Sequence, residues 1–116
     1  MGRVTIGDAG SATGVHATHV AGTMLGNGTL SVARGGSPLQ WRGMAPKATV
    51  ISYEWWNSIS ELNSEYNAAI NTYFASLSQN SWGYTYLGCG SNCFGGYDSF
   101  AGELDGIVRG SKGKRI

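Results

Sequence analysis

Charge is scarce in this sequence. Eight Lys and Arg and seven Asp and Glu make up 13% of 116 residues, about half the share found in an average soluble domain. With a net charge of only +1, the chain lacks the electrostatic footprint of a nucleic-acid or anionic-membrane binder. Low charge also argues against intrinsic disorder. The basic cluster Lys112, Lys114 and Arg115 is interleaved with glycine and has no aromatic platform, so it reads as a solvated helix exit.

Long apolar runs are missing too. None approaches the roughly 18 residues that would span a bilayer. The opening "MGRVTIGDAG" lacks the apolar stretch of a signal peptide, and Ile6 stands where a myristoylation signal carries Ser or Thr. Cysteine is limited to Cys89 and Cys93, with no second pair to complete a zinc site. A local disulfide, which would point to an oxidising compartment, and two reduced thiols both fit that spacing.

Glycine, in contrast, is abundant, at 19 residues, and implies many tight turns and close backbone approaches. The length suits one small domain spanning 1–116. "RVTI" (Arg3 to Ile6) reads as a strand, followed by the turn-rich "GDAGSATG". Val15 to Leu25 suits a closely packed helix with Thr13 as N-cap and "GNG" as its stop. A Gly- and Pro-punctuated loop follows. "ATVISYEW" (Ala48 to Trp55) is a β-rich run without alternation, as expected of a strand covered on both faces.

Residues 58–77 repeat apolar positions at helical spacing, with Ser58 or Ser60 as cap and Glu61 in the first turn. "SLSQNSWG" reads as a further strand ending at Gly83, and "YDSFAGELDGIVRGS" as a last helix capped by Asp98 or Ser99. Alternating strands and helices with long crossovers predict an α/β architecture with parallel strands. So small a parallel sheet leaves an edge open to another strand, and the chain reads as incomplete.

Two histidines lie three apart in "HATHVAGT". A zinc site would need further ligands, and Ala17 stands where the zinc-protease helix has Glu. His19, in the second turn, is expected on the packed side as a buried structural ring. His16 opens the helix after a glycine-containing loop. There the positive end of the helix dipole favours the uncharged ring, and an accessible neutral imidazole is what a general base requires. Small neighbours at Gly14, Ala17, Ala21 and Gly22 are expected to let the helix approach strands closely.

At these residues the chain resembles the subtilisin-like serine proteases, whose catalytic histidine opens a helix in the motif His-Gly/Ala-Thr-His-Val-Ala-Gly-Thr. "RGMAPKATVISYEW" is similar to the family's Gly-x-Ala-Pro turn leading into a central parallel strand. "QNSWGY" is similar to the strand end whose backbone lines the substrate cleft. Together the matches extend over about Val15 to Ser111.

The resemblance implies a partial subtilisin-like three-layer α/β fold, with parallel central strands and flanking helices. It also implies a serine endopeptidase using a Ser-His-Asp triad, with His16 as the base. Ser81, Trp82 and Gly83 would pair with an extended peptide or protein substrate as an added strand, and Trp82 would shape an apolar pocket. No cofactor is implied for the reaction; calcium occurs in the family, but no residue here is assigned to it. The family's location implies a secreted, extracellular enzyme.

Departures bear on activity. Gly-Thr-Ser-Met-Ala is nowhere in the chain, and the oxyanion Asn is not reached before Ile116. Asp8 precedes His16 by only eight residues, with Ala9 where the family has Ser or Thr. Eight extended residues reach about 26 Å, so distance does not exclude Asp8 as the triad acid. The family's intervening segments are nonetheless missing, and the acid is expected upstream of Met1. Read this way, the chain is an internal fragment of a catalytic domain, inactive alone, which needs the remainder of that domain. Three rivals stand beside it: a non-catalytic peptide-binding remnant, a small metal module using His16 and His19, and a piece with no stable fold.

Overall fold

The computed structural model describes residues 2–8, 14–54, 58–83 and 95–116. Among these, two short strands and three α-helices form an α/β chain: β1 (Val4–Ile6), α1 (Val15–Leu25), β2 (Val50–Ser52), α2 (Ile59–Asn71) and α3 (Ser99–Arg109). The chain divides into two compact units, Met1–Trp55 and Trp56–Ile116. No helix among the described residues is long and apolar enough to cross a membrane.

In the first unit β1 and β2 pair in parallel, with Val4 opposite Val50, Thr5 opposite Ile51 and Ile6 opposite Ser52. Val50 donates its amide to the Arg3 carbonyl at 2.9 Å, and Gly7 to the Ser52 carbonyl at 2.8 Å. Side chains extend the ladder at both ends. Arg3 donates to the Ala48 carbonyl at 3.0 Å, and Asp8 Oδ2 accepts from the Glu54 amide at 2.6 Å.

Among the described residues, the strand predicted over Ala48 to Trp55 is paired only at Val50–Ser52, and that stretch is half-buried, not covered on both faces. β1 is exposed throughout, including Val4 and Ile6. Among the described residues, the two strands have no second layer that covers them.

The predicted span of α1 holds, but its N-cap is Gly14, and no side chain caps it; Thr13 lies outside the described residues. Of the residues of α1 only Leu25 is buried. Its far end is fixed by backbone bonds from "RGMAP". Gly43 donates to the Gly26 carbonyl at 2.8 Å, Met44 to Thr23 at 3.2 Å and Ala45 to Met24 at 2.7 Å. These bonds satisfy carbonyls that a helix C-terminus otherwise leaves open.

The approach works because residue 43 is glycine: a Cβ there would lie 2.7 Å from the Gly26 nitrogen and 2.8 Å from the Gly22 oxygen. Close packing therefore occurs at the helix exit. At Gly14 and Gly22, where it was expected, a Cβ would meet nothing within 4 Å.

The loop between α1 and "RGMAP" is held by its own polar groups. Asn27 Oδ1 accepts from the Thr29 amide at 3.1 Å. Ser31, 2% exposed, accepts from the Trp41 amide through Oγ at 3.1 Å and from Gly36 through its carbonyl at 2.8 Å.

The second unit is built on α2 and α3. Ser58 caps α2 by accepting from the Glu61 amide at 3.1 Å, and Asp98 caps α3 by accepting from Ala101 at 2.8 Å. Both choices follow from short side-chain oxygens that reach the open amides of a first turn. Leu62, Tyr66 and Ile70 of α2 meet Ile107 of α3 in a core flanked by Phe100, Leu104 and Ile116. Leu62 and Ile107 are fully buried, a state that stabilises by about 1.5–3 kcal/mol for each such side chain.

α2 stops at Asn71, well short of the predicted residue 77. The Tyr73 amide turns back to the Ala68 carbonyl at 3.1 Å and Ala75 to Ala69 at 2.9 Å, with Phe74 left-handed at φ 57°. Among the described residues the predicted strand 76–83 has no ladder partner; its polar side chains bond to Tyr66 of α2. Beyond α3, Lys112 is only partly solvated. Its ammonium donates to Asn63 Oδ1 and lies 3.5 Å from Glu103, while Lys114 and Arg115 are exposed as predicted.

Candidate functional site

His16 is the second residue of α1, and its side chain is exposed. The helix opens from extended backbone at Gly14 (φ −109°, ψ 158°), with no acidic residue in its first turn. Thr18 donates its amide to the Gly14 carbonyl at 2.8 Å, which closes the turn that carries His16. Position and exposure are those a proton-transfer group needs. The carbonyls at the opposite end of the helix bond to the segment that enters β2, so the imidazole rides on a helix anchored to the sheet strand that follows it.

His19 departs from expectation. It is exposed, not buried, because the described residues of the first unit cover α1 only around Leu25. Its carbonyl accepts from Thr23 Oγ1 at 3.0 Å. Among the described residues no three of His, Cys, Asp and Glu gather in a group able to hold a metal ion.

Asp8 lies two residues past β1, and its Oδ2 receives the Glu54 amide at 2.6 Å. That bond joins the two segments as they leave the sheet, a structural task for a carboxylate that distance along the chain does not exclude as the triad acid. The neighbouring Gly7 sits under the Tyr53 ring, where a Cβ would come within 2.4 Å of Cε1.

Ser81, Trp82 and Gly83 are exposed and belong to the second unit; His16 belongs to the first. Trp82 is 37% exposed, and its indole donates to Asn80 Oδ1 at 3.2 Å. At Gly83 a Cβ would meet nothing within 4 Å among the described residues.

Sequence reasoning missed Tyr66, Ser78 and Asn80, which hold this segment. The Tyr66 hydroxyl lies 2.8 Å from Ser78 Oγ and receives Asn80 Nδ2 at 3.1 Å. The available signal was periodicity: Ser78, Asn80 and Trp82 are alternate residues, which an extended chain turns to one side.

One surface group has a displaced titration. The Tyr97 phenol donates to Asp105 Oδ2 at 2.8 Å and is raised above 10.0, first by that hydrogen bond, then by desolvation and the Asp105 charge, with Arg109 opposing. It caps the outer face of α3 and has no counterpart in the predicted chemistry.

Cys89 and Cys93 lie outside the described residues, so their pairing is not described. Among known proteins no family model matches the chain, and neither a curated protein nor a solved structure matches it.

Proposed function

We propose that this chain is a segment of the catalytic domain of a subtilisin-like, secreted serine endopeptidase. His16 is its general base, and Ser81, Trp82 and Gly83 form one side of its substrate cleft. The observation that carries the reading is the placement of "HATHVAGT". Its first histidine stands exposed in the first turn of α1, and the other end of that helix is bonded to Gly43–Ala45 on the way into a parallel strand. A proton shuttle needs access at one end and rigidity behind it. The exposed faces of β1 also suit two strands of a larger sheet in a three-layer α/β fold.

In this mechanism the His16 imidazole takes the proton from a serine hydroxyl as the oxygen attacks the scissile carbonyl. The imidazolium then gives that proton to the departing amine. The serine, the triad acid and the oxyanion donors come from the remainder of the domain. An extended peptide lies along Ser81–Gly83 by main-chain hydrogen bonds, as strand addition does elsewhere. The reaction calls for no cofactor.

A second reading keeps the cleft and drops the chemistry: a remnant that binds extended peptides without cutting them. The exposed Ser81–Gly83 segment serves that reading equally. Hydrolysis of a fluorogenic peptide by this chain mixed with a segment that carries a subtilase serine motif separates the two. Cleavage lost in His16→Ala and kept in His19→Ala supports the protease. Peptide binding that survives His16→Ala, with no cleavage in any mixture, supports the remnant.

A further inference from the structure

The Asn80 carboxamide links Trp82 to the core of the second unit. Its indole N–H donates to Asn80 Oδ1 at 3.2 Å. Asn80 Nδ2 donates to the Tyr66 hydroxyl at 3.1 Å and to Ser78 Oγ at 2.8 Å. Tyr66 and Ser78 are themselves 2.8 Å apart, and the Tyr66 hydroxyl also approaches Asn80 Oδ1 at 3.4 Å.

An indole N–H only donates, so the carboxamide must turn its oxygen to Trp82 and its nitrogen to the two hydroxyls. Tyr66 packs with Leu62, Ile70 and Ile107, which makes its hydroxyl a fixed point on α2. The chain of bonds thus runs from a buried ring to a partly exposed one, and it orients the indole N–H of the latter.

We propose that Tyr66 and Asn80 are positioning residues for substrate recognition. They hold the Trp82 indole as a preformed apolar wall beside Ser81–Gly83, and so confer preference for an extended peptide with a large apolar side chain at that wall. The inference rests on the reading of Ser81–Gly83 as the substrate edge. An aromatic face offers apolar area with few rotamers to freeze. Holding it in place before binding is worth about two- to tenfold in affinity, the range for one immobilised side chain.

The test titrates the full chain with two blocked peptides, acetyl-Ala-Ala-Ala-Phe-amide and acetyl-Ala-Ala-Ala-Gly-amide, followed by amide and indole NMR shifts. The wild type is expected to favour the Phe peptide. Tyr66→Phe, which keeps the core ring, and Asn80→Ala, which leaves the core untouched, are each expected to reduce that preference about two- to tenfold. The Gly peptide should bind nearly as before.

A hydroxyl with a purely structural role would lower the melting temperature and weaken both peptides alike. An unmoved preference in both variants therefore overturns the positioning role and leaves the substrate edge standing. A wild type that binds neither peptide overturns the edge, and this inference with it. If Tyr66→Phe fails to fold, Asn80→Ala decides alone.

Discussion

Gly43 donates its amide to the Gly26 carbonyl across 2.8 Å, and a methyl on Gly43 would stand 2.7 Å from the Gly26 nitrogen. Backbone atoms cannot swing away as a side-chain tip can, so the crowding must be relieved by moving the helix exit. Gly43→Ala is expected to destabilise the first unit by about 1–3 kcal/mol, read as a lower urea midpoint. Gly83→Ala, whose Cβ meets nothing within 4 Å, should stay within about 0.5 kcal/mol of wild type. Equal midpoints for Gly43→Ala and wild type would mean the helix exit is not held this way.

The second unit depends on two caps and a small core. Ser58→Ala and Asp98→Ala each remove a side-chain acceptor from a first-turn amide, at a cost of about 1 kcal/mol. Ile107→Ala empties a fully buried position and is expected to cost about 2–5 kcal/mol. Helical circular dichroism through a denaturant series would rank them. Caps that cost more than Ile107 would contradict the core assignment.

Asp8 has a definite partner, the Glu54 amide at 2.6 Å. Asp8→Ala should cost about 1–2 kcal/mol and accelerate hydrogen exchange at Glu54. In the proposed protease, peptide hydrolysis should survive Asp8→Ala to within about tenfold. A fall of several thousandfold, the scale for losing a triad member, would make Asp8 the acid.

Tyr97 provides a pH signature at the surface. Its phenol is raised above 10.0 by donating to Asp105. The folded chain therefore holds that proton more tightly than the unfolded chain does. The pair's contribution is fully present below pH 10.0 and is lost as pH rises through the folded value. In an ultraviolet titration, Asp105→Ala is expected to bring Tyr97 back towards 10.0. A phenol that titrates identically in both would show that the bond does not form.

Elements whose signals are local were legible in the sequence. α1 begins and ends where "GVH" and "MLGNG" place it, and the caps at Ser58 and Asp98 follow from side chains that reach their own helix amides. The parallel pairing of β1 and β2 follows from the helix between them. Three features needed tertiary information. Residues 76–83 read as a strand, yet among the described residues their polar groups find Tyr66 instead of a ladder. His19 is expected on a packed face that the described residues of the first unit do not assemble. The glycine that matters for α1 is Gly43, eighteen positions beyond Leu25, and helical periodicity contains no trace of it. His16, Ser81, Trp82 and Gly83 came from motif resemblance; Asn80 and Tyr66, which hold Trp82, came only from side-chain geometry.

The most direct measurement is the rate at which a fluorophosphonate labels the nucleophilic serine of the proposed protease, with and without His16→Ala. Removing the base should slow labelling by about a thousandfold or more, while His19→Ala labels at nearly the wild-type rate. Labelling that proceeds equally fast without the His16 imidazole would contradict its role as proton shuttle.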